Sequence, residues 1–149
     1  MLQTDLERYA NAPAVLVQIY VDRIVLHYPS STEYLTECAQ FSHPRSLLGD
    51  FSIAETTLTQ LLKRGGGGFK YLAPYMFIQA MVRMEFGLTQ VEIRALQELG
   101  LSSGARAIAI YDETGKLLTP NSLPATINLK RLAMMGLIIT LFVLLCFLC

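Results

Sequence analysis

A chain of 149 residues with twelve basic and twelve acidic side chains has no formal net charge, and its length suits one domain of ordinary size. That balance excludes the broad cationic footprint on which nucleic-acid binding depends. Of three cysteines only Cys38 lies ahead of the apolar C-terminal run, so an internal disulfide or a multi-cysteine zinc site is not expected, and two histidines with scattered acids make no metal constellation; no metal or cofactor is expected.

The opening residues "MLQTDLERYA" place Asp5 and Glu7 where a signal peptide needs an uninterrupted apolar core, so no secretory leader is expected. The stretch "APAVLVQIYVDRIVLHYP" then alternates with period two. Val15, Val17, Ile19 and Val21 share one face of a strand, with Leu16, Gln18 and Tyr20 on the other. Ile24, Leu26 and Tyr28 resume the pattern after Asp22 and Arg23. β-Branched and aromatic enrichment favours strand over helix. One long bent strand and a tight hairpin satisfy the pattern equally. In a small sheet this strand is expected at an edge, with Val15, Val17, Ile19 and Val21 marking the segment that accepts a partner strand.

Three hydroxyl residues stand three positions before a glutamate: Ser30 with Glu33, Ser52 with Glu55, and Thr89 with Glu92. This is the spacing of a capping box, in which the hydroxyl accepts an orphan amide and the carboxylate reaches back to the cap. It predicts helices near 31–40, 53–64 and 90–99, with Gly65 and Gly100 closing the last two. Pro74 in "APYMFIQAMVRMEF" suits the first turn of a further, largely apolar helix ending at Gly87. "ARAIAIYDETGKLL" reads as a hairpin turning at Asp112–Gly115. "TPNSLPATIN" has two prolines and no periodicity, which marks a linker.

From Leu132 to Cys149 no residue is charged. A helix of that length rises about 27 Å, close to the minimum for a hydrocarbon core of roughly 30 Å. Leu132, Ile139, Phe142 and Leu145 represent its all-round apolar surface, while Gly136 and Thr140 would let another helix approach. Lys130 and Arg131 precede it, and basic flanks stay on the cytosolic side. The expectation is therefore a tail-anchored, single-pass membrane protein with its N-terminal domain in the cytosol. A short span suits the thinner endoplasmic reticulum or nuclear envelope better than a thick bilayer.

Polar chemistry is sparse. Cys38 and His43 lie close enough in sequence to offer a thiolate–imidazolium pair, and a core cysteine beside a loop histidine is the alternative. "KRGGGGFK" lacks the spaced glycines or Gly-Lys-Ser/Thr of a phosphate loop. Residues 75–99 have the outline of a helix-turn-helix, but Glu92 and Glu98 would face phosphates.

These observations predict an α+β domain over residues 1–118, a linker over 119–131 and a membrane span over 132–149. The domain would hold a small antiparallel sheet, built from the N-terminal strand or hairpin and the C-terminal hairpin, with about four helices. The function expected is a non-enzymatic adaptor or complex subunit that binds membrane lipid and a protein partner. The alternatives are a membrane-held enzyme using Cys38 and His43, and a nuclear-envelope DNA tether through the 75–99 helical pair.

Overall fold

The structure, a computed structural model, describes residues 1–65, 73–82 and 87–119. They form an α+β fold: helix α1 (Leu2–Arg8), strands β1 (Ala14–Tyr20), β2 (Arg23–His27) and β3 (Tyr34–Cys38), helix α2 (Phe51–Gly65), strand β4 (Tyr75–Ala80), helix α3 (Gln90–Ser102) and strand β5 (Ala107–Tyr111). The five strands make one mixed sheet in the order β3-β2-β1-β4-β5. β1, β2 and β3 are antiparallel neighbours, whereas β4 runs parallel to β1 and β5 parallel to β4.

The N-terminal alternation resolves as a hairpin, Tyr20 pairing with Arg23 across a two-residue turn. Asp22 takes φ +52 there, a left-handed conformation that an aspartate tolerates far better than a β-branched residue. Its carboxylate accepts the amides of Phe41 at 3.0 Å and Ser42 at 2.7 Å, which ties the turn to the loop after β3.

α2 and α3 cover one face of the sheet. Ala54, Leu58 and Leu61 from α2, and Ile93, Leu96 and Leu99 from α3, join Val15, Val17, Ile19, Ile24, Leu26, Met76, Ile78 and Ile110 in the main core. Fully burying each of the valine, leucine, isoleucine and methionine side chains among them contributes about 1.5–3 kcal/mol. On the opposite face a smaller cluster gathers Leu2, Tyr9, Ala14, Phe77, Ala109 and Tyr111. Tyr9 packs at a steep tilt against Tyr75 and Phe77, with ring centroids 4.8 and 5.6 Å away.

Several expectations are corrected. The sheet is mixed, not antiparallel, because β4, after α2, lies parallel beside β1 and β5, after α3, lies parallel beside β4. Residues 34–38 of the expected first helix are strand β3. The Ser31 hydroxyl accepts the Glu33 amide at 3.1 Å, forming a local turn in place of a helix cap. Tyr75–Ala80, expected in a helix opened by Pro74, is strand β4. Its residues from Met76 to Ala80 are all buried, and a strand covered on both faces reads as a continuous apolar run.

The last two expected helices stand as α2 and α3. Thr89 and Glu92 form the full capping box, whereas at α2 Asp50 accepts the Ile53 amide at 3.1 Å in the role expected of Ser52. Gly100 does not close α3 but lies inside it. A Cβ there would sit 2.6 Å from Ile108 Cδ1, so glycine is what lets the helix approach β5. Leu2–Arg8 forms a helix that the expectations did not include.

The C-terminal hairpin reduces to β5, the Asp112–Gly115 turn and a single bridge from Tyr111 to Leu117. Among the described residues no helix is long and apolar enough to cross a membrane. Leu132, Gly136, Ile139, Phe142 and Leu145, the flanking Lys130 and Arg131, and most of the 119–131 linker lie outside the described residues.

Candidate protein-interaction site

β3 forms one margin of the sheet, and its register fixes which backbone groups face outward. The Ala39 N–H donates to the Asp22 carbonyl at 3.1 Å. Bonded and non-bonded pairs alternate along an antiparallel ladder, so Glu37 opposite Ile24 and Leu35 opposite Leu26 turn their peptide groups toward β2. Tyr34, Thr36 and Cys38 therefore turn theirs away from the sheet. Among the described residues no strand pairs with that side of β3.

Natural edges are guarded by lysine, proline, bulges or a covering element. Between Tyr34 and Cys38 there is no lysine, proline or glycine. The sole charge, Glu37, is engaged by the Arg64 guanidinium from the end of α2. The opposite margin is treated differently. Past β5 the chain doubles back, the Leu118 amide donates to the Ile110 carbonyl at 2.8 Å, and the Thr119 hydroxyl accepts the Ile110 amide at 3.2 Å.

The sheet face beside this edge carries Tyr34, Thr36 and Cys38, all exposed, with Tyr34 at 65%. Arg23 lies over the Tyr20 ring at 4.2 Å from its centroid, and His27 packs against Tyr34 with centroids 5.7 Å apart.

A polar chain crosses the same face, and its polarity follows from its far end. Gln79 donates from Nε2 to the carbonyls of Asp112 and Glu113, each at 3.3 Å, and a carbonyl only accepts. Gln79 Oε1 therefore faces Gln18 and accepts from Gln18 Nε2 at 3.0 Å. Gln18 Oε1 is left for His27 Nε2 at 3.1 Å, so His27 holds its proton on Nε2. Burial pushes the His27 imidazole below its ordinary value of 6.5.

A lowered histidine pKa means that the folded chain binds fewer protons than the unfolded one. Its contribution to stability is complete above pH 6.5 and is lost as pH falls through the folded value. Urea unfolding of the full chain in detergent, followed by tyrosine fluorescence, should show stability falling between pH 7 and 5. A His27→Gln variant should flatten that slope, and an unchanged slope would remove His27 as its source.

The other sequence candidates are placed as follows. Val15, Val17 and Ile19 do not mark an edge: β1 is the central strand, bonded on both sides, and all three are fully buried. Val21 is 62% exposed, but it belongs to the β1–β2 turn. The outermost strand on this side is β3, within the stretch that the capping-box spacing assigned to a helix.

No hydrogen bond links Cys38 to His43 among the described residues, and no three His, Cys, Asp or Glu side chains there converge as a metal site. A cleft of about 350 Å³ beside the β1–β2 turn is lined by Val21, Asp22, Ser42, His43, Leu47 and Val82. The polar groups here bond one another. The Ser42 hydroxyl accepts the Asp22 amide at 3.1 Å and donates to the Leu47 carbonyl at 2.9 Å.

Glycines 66–68 of the "KRGGGGFK" stretch lie outside the described residues. Within the 75–99 segment the described residues form strand β4 and helix α3, not a pair of helices. No family model matches the chain, and no curated protein is significantly similar to it.

Proposed function

We propose that the chain is a membrane-held, non-enzymatic adaptor or complex subunit whose α+β domain takes a protein partner by strand addition at β3. Residues 132–149 cross the bilayer as a single span. Lys130 and Arg131 hold its near end on the cytosolic side, and its length suits the endoplasmic reticulum or nuclear envelope.

One observation carries the reading: an unguarded edge, with outward peptide groups at Tyr34, Thr36 and Cys38, beside an exposed sheet face. Strand addition gains affinity from main-chain hydrogen bonds and specificity from alternate side chains. Partner binding should therefore respond to the backbone at Thr36 more than to its side chain.

Thr36→Pro deletes an outward N–H that β2 does not use, and proline is tolerated at such edge positions. Affinity capture with the tagged full chain should lose its co-purifying protein in Thr36→Pro, by about tenfold or more for one or two lost bonds, and keep it in Thr36→Ala. Equal capture by the proline variant would overturn the assignment of the edge.

A further inference from the structure

We infer that residues 31–40, extended as β3 in this structure, have a second, helical state that withdraws the docking edge. This control rests on the adaptor reading and acts at its site.

β3 lies against its own pattern. Its apolar residues come in pairs, Tyr34 with Leu35 and Cys38 with Ala39, separated by the polar pairs Thr32-Glu33 and Thr36-Glu37. Positions i, i+1, i+4 and i+5 share one face of a helix but are divided between the two faces of a strand. The cost of that division is visible. No residue of β3 is buried, whereas β1, β2, β4 and β5 each bury at least three. Tyr34 and Cys38 are exposed, and Glu37 shares the face of Leu35, where it is held by Arg64. A local preference that contradicts the surrounding fold is where a chain keeps a competing state.

Both ends accommodate either state. At the amino end Ser30 and Glu33 have the spacing of a capping box, which the strand leaves unused. At the carboxyl end Asp22 holds the Phe41 and Ser42 amides, and Phe41 is fully buried. Between these anchors β2 rises roughly 17 Å over its length, and a helix over 31–40 rises about 15 Å. Leu35 and Ala39, four positions apart, keep one side in both states, and both pack on the main core. No glycine or proline interrupts residues 31–40. The helix gives up the ladder to β2 and the Arg64–Glu37 pair, and gains internal bonds and its cap.

A helix spends its N–H groups on itself and presents no outward row to a partner strand. The partner therefore takes only the extended state, and its apparent affinity scales with the extended fraction.

Relaxation dispersion on the isotope-labelled full chain in detergent should find μs–ms exchange in residues 31–40 and none in β1 or β4. The minor-state Cα shifts should move in the helical direction. Ser30→Ala, which strips the cap, should cut the minor population about fivefold. Thr32→Glu with Gln40→Lys complements the helix dipole, and Arg64→Gln frees Glu37. The three together should raise that population about tenfold. Affinity capture by this triple variant should weaken in step with the extended fraction, and adding Ser30→Ala should restore it. All four substitutions lie outside β3, so direct contact with a strand on that edge does not produce the rescue.

A flat profile over 31–40, or minor-state shifts of a disordered chain, overturns the inference. So does unchanged capture by the triple variant where Thr36→Pro loses its protein. If neither variant changes capture, the adaptor reading fails and the edge control falls with it.

Discussion

Val17→Asp is expected to abolish the folded domain, not merely a binding surface. Val17 is fully buried, pairs with Leu26 on one side and Ile78 on the other, and faces the apolar layer under α2 and α3. Losing the valine removes about 1.5–3 kcal/mol of burial. An unpaired carboxylate in its place costs several kcal/mol more, even if it takes up a proton to escape its charge. The sum, about 5 kcal/mol or more, rivals the whole stability of a small domain. Circular dichroism of the full chain in detergent should show no cooperative melt. A melt within a few degrees of wild type would contradict the central position of β1.

Gln79→Glu should be the most damaging near-isosteric change. Gln79 is buried, its amide serving two carbonyls at 3.3 Å and its oxygen serving Gln18. Glutamate keeps the shape but sets an oxygen against the carbonyls of Asp112 and Glu113. Stranding buried acceptors and a charge costs about 3 kcal/mol, or about 10 °C of melting temperature for a domain of this size.

The deficit should depend on pH with a defined sign. The new carboxyl, raised in the folded state, binds a proton more readily there than in the unfolded chain. The loss should be small near pH 4 and complete above the folded value. Gln79→Leu should lose stability without that pH dependence. Melting curves of both variants from pH 4 to 8 decide it, and equal profiles would mean that the polarity assigned to the chain is wrong.

Local signals with a complete mechanism were readable from residues alone. The Thr89–Glu92 box, a helix running up to Gly65, the Val/Ile alternation of the hairpin and the Asp112–Gly115 turn all appear where expected. The failures share a cause: the deciding partner lies far along the chain. "YMFIQA" is apolar all round and fits a buried helix or a buried strand equally well. Pairing with β1 and β5 settles it.

Ser30 and Glu33 have cap spacing, yet residues 34–38 extend because His27, Val25 and Arg23 lie opposite them and Ser31 uses its hydroxyl locally. The expected partner-binding edge inherited that error. Treating β1 as an edge follows from an antiparallel sheet without β4, whereas the parallel return of β4 makes β1 central and leaves β3 outermost. The Gln18–Gln79 bond spans 61 positions, and no local pattern encodes it.

The parallel placement of β4 beside β1 also orders events on the ribosome. Val17 meets Ile78 only after the intervening residues have been translated, which takes roughly 3–12 s at about 5–20 residues per second. Throughout that interval the nascent hairpin displays a bare strand rich in valine and isoleucine, a natural substrate for a chaperone that sequesters extended apolar segments.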